Sequence, residues 1–134
     1  MKKKIIQLLV LSFILFSCKK SSVTSNPIGN SLIGKWTNTQ YWYSIGSGGE
    51  WHAVKPTNQT IEFQSDGTFI SAESFLKEAN TFEIIDSATV KFLPATNASG
   101  SQLMSYKIDT IKRELTMSPI NPVCIEGCAN RFKR

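Results

Sequence analysis

Apolar and polar side chains alternate strictly along much of this chain. Ile61 and Phe63 stand between polar neighbours in the first clear example. The same period of two returns at 81–84, 89–92, 104–108 and 114–118. Such alternation is typical of strands with one buried and one solvated face. The chain is therefore predicted to be built almost entirely from β-strands.

Short turn sequences separate the alternating stretches. Ser65-Asp66-Gly67 is a hairpin signal, and Asp86-Ser87 and Asp109-Thr110 have similar turn chemistry. We predict eight strands, at 32–45, 51–64 with a kink at Pro56, 68–73, 81–85, 88–94, 102–109, 113–118 and 128–134, and one short helix at 73–79. Because short connections pair successive strands antiparallel and eight strands can close without free edges, the prediction is an all-β, up-and-down antiparallel barrel. A two-sheet sandwich is the competing architecture.

The amino terminus reads as an export signal. Lys2–Lys4 precede an apolar run at 5–16, and twelve helical residues span about 18 Å, less than the roughly 30 Å of a bilayer core. A removable signal peptide fits this length. The run ends at Leu15-Phe16-Ser17-Cys18, which resembles a bacterial lipobox. That resemblance implies removal of 1–17, lipidation of Cys18 and a polar tether at 18–31; ordinary cleavage near Ser17 is the alternative.

Charge is distributed unevenly between this leader and the remaining domain at 32–134. Five of the fifteen basic residues precede residue 21, and the other ten are balanced by all ten acidic residues. A neutral domain has no electrostatic footprint for a phosphate backbone, so no nucleic-acid partner is expected. Lys19 and Lys20 directly follow Cys18, where no acidic run is present. We therefore expect an outer-membrane protein that faces the periplasm, with surface exposure as the alternative.

Gly34-Lys35-Trp36 opens the domain and resembles the signature of the lipocalins. The stretches 61–69 and 124–132 are also similar to small lipocalin-like lipoproteins of the Bacteroidota. The resemblance implies that Trp36 plugs one end of the barrel and that a basic residue near the carboxyl terminus packs over it. Arg131 or Arg134 can fill that position, and we assign it to Arg131.

Cys124 and Cys128 remain as the only cysteines once Cys18 is lipidated. An exported domain folds in an oxidising compartment, so we predict a disulfide between them. His52, the only histidine, adds no metal-ligand spacing, and neither a metal nor a cofactor is expected. No Gly-x-Ser-x-Gly motif is present, and Glu62, Glu83 and Glu114 fall on solvated faces, so we expect no enzyme activity.

Aromatic residues are the candidates for ligand binding. Alternation places Trp42 in phase with Trp36, facing inward, and turns Tyr41 and Tyr43 to the other face. The hypothesis is that an apolar cup is lined by Trp42, Trp51, Phe63 and Tyr106. Core packing of the same four side chains is the alternative, since small barrels are normally filled.

These patterns together favour a non-enzymatic, membrane-anchored lipocalin-like monomer that binds a small apolar or amphipathic ligand. The alternative is a filled barrel that acts as a protein-interaction or inhibitor module. An empty pocket of roughly 300 Å³ or more distinguishes the first from the second. Asp86-Ser87-Ala88 and Asp109-Thr110-Ile111 also resemble an O-glycosylation motif of exported proteins, although turn chemistry explains both equally well.

Overall fold

The computed structural model describes residues 32–44, 48–55, 58–96, 100–125 and 127–134. The predicted signal peptide, Cys18, the tether and the kink at Pro56 lie outside the described residues. The strands are β1 (Gly34–Ser44), β2 (Gly49–Ala53), β3 (Thr60–Phe63), β4 (Phe69–Ser71), β5 (Ala79–Ile84), β6 (Thr89–Pro94), β7 (Gln102–Asp109), β8 (Glu114–Asn121) and β9 (Ala129–Lys133). The short helix predicted at 73–79 is a single 3₁₀ turn, Ser74–Leu76, because β5 already begins at Ala79.

The strands form one antiparallel sheet in the order β4-β3-β1-β9-β8-β7-β6-β5. Its two ends meet where Thr68 pairs with Thr81 and the amide of Phe82 donates to the carbonyl of Gly67 at 3.0 Å. Eight strands thus curl into a nearly closed up-and-down barrel, which confirms the predicted fold and excludes the sandwich. Closure removes the long free edges that an open sheet would expose.

β1 is long enough to pair with two strands, β3 and β2, along the same edge. Residues 34–37 pair with β3, and residues 40–44 pair with β2. The single strand predicted at 51–64 is therefore two strands, with an extra segment between them. Asn38 and Thr39 hold the two ends of that segment, since Asn38 N donates to Gln59 O at 2.8 Å and Val54 N donates to Thr39 O at 3.0 Å.

A β-bulge in β1 changes which side chains face the barrel interior. Opposite β9, Asn38 pairs with Phe132 and Gln40 pairs with Arg131, so Thr39 is an extra residue. A bulge inserts one residue and reverses the inward and outward phase of the rest of its strand. Tyr41 consequently lies across from Asn130, on the same face as buried Met117, whereas Trp42 takes the outer phase. The prediction that Trp42 faces inward is therefore wrong, because the bulge reverses the phase of β1 before this residue.

One end of the barrel is closed by tightly packed side chains. Trp36 is fully buried and donates from Nε1 to the carbonyl of Leu32 at 2.8 Å. In the same core cluster, ring centroids of Phe63 lie 5.0 Å from Phe69, 5.0 Å from Phe82 and 5.9 Å from Phe92. Aromatic rings at these separations fill a core efficiently. The barrel interior at the Trp36 end is therefore packed with side chains.

The cation over Trp36 is Arg134. Its guanidinium carbon lies 4.3 Å from the centre of the indole, and Nη1 donates to the carbonyl of Ile33 at 2.8 Å. Arg131 instead lies 3.7 Å from the ring centre of Trp51. The predicted assignment to Arg131 is corrected for a simple reason: Arg131 precedes buried Phe132 on β9, so its side chain leaves on the outer face.

Gly34 is required by the same end cap. Its φ of +122° lies in a region that L side chains rarely adopt, and a Cβ there would meet Arg134 Nη1 at 3.3 Å. The Gly-x-Trp pattern thus has a local explanation in backbone conformation and in the room left for the guanidinium group.

Candidate functional site

The end of the barrel opposite Trp36 holds an open apolar cup of about 400 Å³. Its lining comes from the second half of β1, the 3₁₀ turn, β7, the end of β8, the β8–β9 connection and the start of β9. The described residues are Tyr41, Trp42, Tyr43, Phe75, Gln102, Met104, Pro119, Asn121, Pro122, Val123, Cys124, Cys128, Ala129 and Asn130. None of these lining residues is acidic or basic. The cup therefore offers an uncharged, largely apolar surface to whatever enters it.

Local features of the chain create this cup. The bulge at Thr39 brings Tyr41 and Tyr43 to the inner phase, and they remain 42% and 45% exposed because the barrel is open here. The Cys124–Cys128 disulfide, which confirms the predicted pairing, holds the β8–β9 connection at the rim. Phe75 reaches the opposite side from the 3₁₀ turn.

A buried polar cluster adjoins the wall of the cup. Asn130 lines the cup, and its Oδ1 accepts a hydrogen bond from Asn38 Nδ2 at 3.2 Å. Asn38 is only 2% exposed and also hydrogen-bonds the carboxyl group of Glu73, which is 3% exposed. Burial raises the pKa of the Glu73 carboxyl, and the hydrogen bond from Asn38 opposes part of that rise.

Two acceptor atoms in this cluster lack partners. Neither Glu73 Oε1 nor Asn38 Oδ1 meets a hydrogen-bond donor among the described residues. Leaving a buried polar atom unpaired costs about 1–3 kcal/mol, so such atoms call for a reason. Both atoms are buried, and neither Asn38 nor Glu73 is among the residues that line the cup.

Sequence reasoning missed both members of this pair. Asn38 does carry a signal, because it occupies the inner phase of β1 two residues after Trp36, where alternation calls for an apolar side chain. Glu73 carries none, since an acidic residue before a short helix is ordinary. Only the path of the chain between β4 and β5 brings its carboxyl group against Asn38.

The four side chains predicted to form the cup do not form one site. Phe63 and Tyr106 are buried in the core. Trp42 and Trp51 do meet, with ring centroids 5.5 Å apart, but on the outer face, where they line a shallow groove of about 570 Å³. Trp42 borders the cup as well as this groove.

Arg131 organises the outer aromatic pair. Its guanidinium covers Trp51, its Nη1 donates to Gln40 Oε1 at 3.2 Å, and its Nε lies 3.6 Å from Glu114 Oε1. A cation held over an indole and beside a carboxylate stabilises the packing of that face. The observed contacts of Arg131 are therefore all on the outside of the barrel.

Other chemistry is sparse in the part of the chain that the structure describes. His52 stacks on Tyr41 at 5.3 Å and lies 3.4 Å from Glu50. The described residues contain no group of three or more His, Cys, Asp or Glu side chains placed to hold a metal ion. Nor do they include a helix with the length and apolar character needed to span a membrane.

The two motifs that resemble glycosylation sites form turns. Asp86 Oδ1 accepts from the amide of Ala88 at 2.8 Å, and Asp109 Oδ1 accepts from the amide of Ile111 at 3.0 Å. Both are the local hydrogen bonds expected of Asx turns. Ser87 and Thr110 are exposed in these turns.

Comparison of the chain with protein-family models, with curated proteins and with solved structures found no match. The function of this protein is therefore inferred from the barrel, the cup and the sequence pattern.

Proposed function

We propose that this protein is a non-enzymatic, membrane-anchored lipoprotein whose lipocalin-like barrel binds a small apolar or amphipathic molecule at its open end. One observation carries the proposal: an uncharged cup of about 400 Å³ stands open at one end of a barrel whose other end is packed. Small-molecule sites commonly have volumes of about 300–1,000 Å³ and mostly apolar walls with a few polar groups.

The packed half of the barrel limits where a ligand can lie. Trp36, Phe63 and Phe92 belong to one buried core cluster, and none of them lines the cup. A bound molecule would therefore occupy the mouth, with its tail against the aromatic rim and Met104. The rigid sheet below keeps this rim preformed, which lowers the entropic cost of binding.

The remaining parts of the proposal come from the sequence pattern. Lipidation of Cys18 would hold a monomeric barrel at the cell envelope, in the outer membrane and facing the periplasm, on the polar tether. Two or three acyl chains anchor a protein stably where one does not. Substitution Cys18→Ser should release the protein from the membrane fraction, and its retention there would contradict the anchor.

Ligand binding is tested by filling the cup. Gln102 lines the cup on β7, and Lys107 is exposed on the outer side of the same strand. Native mass spectrometry of the protein purified from its own envelope should show a co-purifying small molecule. Gln102→Trp should lose that mass and Lys107→Trp should keep it; a wild-type protein that carries no small molecule, or equal loading of both variants, would contradict the proposal.

An alternative, a protein-interaction or inhibitor module, is favoured by one specific observation. Val123, directly before the disulfide, and Ile125, inside the loop that it closes, are 72% and 97% exposed. Exposed apolar side chains on a constrained loop suit contact with another protein. In that case Ile125→Ser, at a position that does not line the cup, would abolish capture of the partner while leaving small-molecule loading unchanged.

A further inference from the structure

We propose that the cup selects uncharged molecules that carry a hydrogen-bond acceptor of the carbonyl type, and that the side-chain amide of Asn130 donates to that acceptor. This inference rests on the proposed function, because it names the ligand class of the same cup. The polar atom of the ligand then lies at the inner end of the cup, and its apolar part extends towards the mouth.

Asn130 is placed where the cup meets the packed core. It is the second residue of β9, and it pairs with Tyr41 on one side and with fully buried Met117 on the other. Phe132, two residues further along the same face of the strand, already belongs to the core cluster. A polar group that reaches Asn130 is therefore at the inner end of the cup.

A hydrogen bond within the wall fixes the orientation of the Asn130 amide. Its Oδ1 accepts from Asn38 Nδ2 at 3.2 Å, and Asn38 is only 2% exposed. Asn130 Nδ2 is left without a hydrogen-bond partner among the described residues. The buried side-chain atoms that lack a partner are Asn38 Oδ1, Glu73 Oε1 and Arg131 Nε, so Asn130 Nδ2 is accessible. Since Asn130 lines the cup, the wall presents an N–H donor, and its complement on a ligand is an acceptor.

The lining determines the charge that this acceptor can carry. None of the described residues that line the cup is a lysine, arginine, aspartate or glutamate. Glu73, behind Asn38, is a poor counter-ion, because burial raises the pKa of its carboxyl and disfavours the charged form. An ionised head group beside Asn130 would therefore lose solvation without gaining an opposite charge. An ammonium group also carries donors only, whereas a carbonyl oxygen accepts and is uncharged.

The outer part of the cup suits the apolar part of such a molecule. Tyr41, Tyr43 and Phe75 line it with aromatic rings, and Met104 adds an adaptable apolar contact. These surfaces shelter an alkyl chain from water while its carbonyl oxygen reaches Asn130. The ligand thus enters with its polar end first.

The test compares three probes with the same number of carbon atoms: methyl hexyl ketone, octylamine and octanoate. Each is titrated at neutral pH into the purified full chain by calorimetry. The ketone is expected to bind at least about ten-fold more tightly than either charged probe, because it alone combines an acceptor with zero charge.

Asn130→Asp isolates the contribution of the donor. Aspartate has nearly the same shape, keeps an oxygen for Asn38 and replaces Nδ2 by a second oxygen. The affinity for the ketone should fall at least about ten-fold, and octylamine should bind more tightly than it binds the wild type. Asn80→Asp makes the same change at an exposed position of β5 outside the cup, and it should alter neither affinity. Because each free probe is the same in every titration, differences in probe hydrophobicity cancel in this comparison.

The outcomes separate this inference from the function on which it rests. If none of the three probes binds the wild type, the proposed small-molecule function fails and the inference fails with it. If a charged probe binds as tightly as the ketone, or the ketone binds Asn130→Asp as tightly as the wild type, the function stands and the inference is overturned.

A second measurement on the wild type decides the matter if Asn130→Asp does not fold. In the NMR spectrum of the isotope-labelled protein, the ketone should shift the side-chain amide signal of Asn130 and leave that of Asn80 in place. An Asn130 signal that does not move when the ketone binds overturns the inference.

Discussion

Single residues at the two ends of the barrel have opposite tasks. At the closed end the two polar side chains of the cap have partners. Trp36 donates to the carbonyl of Leu32, and Arg134 covers the indole while donating to the carbonyl of Ile33. At the open end Glu73 is buried with an unpaired oxygen. The polar groups of the end cap therefore have partners, whereas the buried Glu73 oxygen without a partner costs stability.

The end cap yields a prediction about two neighbouring basic residues. Arg134→Ala removes the cation over Trp36 and should lower the free energy of unfolding by about 1–2 kcal/mol, as measured by urea denaturation. Lys133→Ala, at an exposed neighbouring position, is the control and should change it by less than about 0.5 kcal/mol. Equal effects of the two substitutions would argue against the cap.

Glu73 gives the protein a pH-dependent stability with a definite sign. Because burial raises its pKa in the folded state, the stabilising contribution of the protonated form is complete below the unfolded pKa and is lost as pH rises through the folded pKa. Urea denaturation at several pH values should therefore show Glu73→Gln gaining stability relative to the wild type from acid to neutral pH. A difference that does not change with pH would contradict the burial of this carboxyl.

At the scale of the strand, the bulge in β1 decides the character of the open end. Thr39 is accommodated as an extra residue between Asn38 and Gln40; if β1 instead continued in regular alternation through Thr39, Tyr41 and Tyr43 would face outward. Gly49 on β2 is part of the same arrangement, because a Cβ at this position would lie only 2.5 Å from the Trp42 indole. The cup and the outer aromatic pair thus have one cause in common.

Deletion of the bulge residue Thr39 and deletion of Thr37 before it are predicted to have different effects on folding. Removing Thr39 leaves Asn38 and Gln40 in their present phases and loses two hydrogen bonds, from Thr39 Oγ1 to Arg131 O and from Val54 N to Thr39 O, at a cost of roughly 1–3 kcal/mol. Removing Thr37, which pairs with both Thr60 and Lys133, turns Trp36 outward and should prevent folding. Circular dichroism and thermal melting distinguish the two variants, and comparable melting of both would refute this role of the bulge.

The barrel is closed by one short junction, between β4 and β5, which we call the seam. Every neighbouring pair in the sheet order shares a ladder of residues, whereas the described residues at the junction of β4 and β5 show a single bridge, Thr68 with Thr81, and the amide of Phe82 on Gly67. Glu73 and Phe75 lie in the connection between these same two strands. Opening of the ring at this seam would also loosen one wall of the cup.

Hydrogen exchange should locate the seam. The amide of Phe82 is expected to exchange faster than the amides paired between β7 and β8, because seam opening breaks few contacts and leaves the rest of the sheet intact. A cup ligand should slow exchange at Phe82 if the seam and the cup move together. Uniform protection of all strands would show that the barrel opens only as a unit.

Local sequence patterns were sufficient to predict the alternating strands, their hairpin order and the disulfide. Each depends on neighbours in the chain: alternation reports burial over a few residues, and turns report local backbone preferences. The tertiary structure alone decided the split of β2 from β3, the placement of Arg134 over Trp36, the outward turn of Trp42 and the meeting of Glu73 with Asn38 and Asn130. These features depend on an inserted residue or on contacts between distant segments. A periodic sequence pattern records neither of them: one bulge exchanges the two faces of a strand without altering its composition, and a contact between distant segments leaves no local pattern.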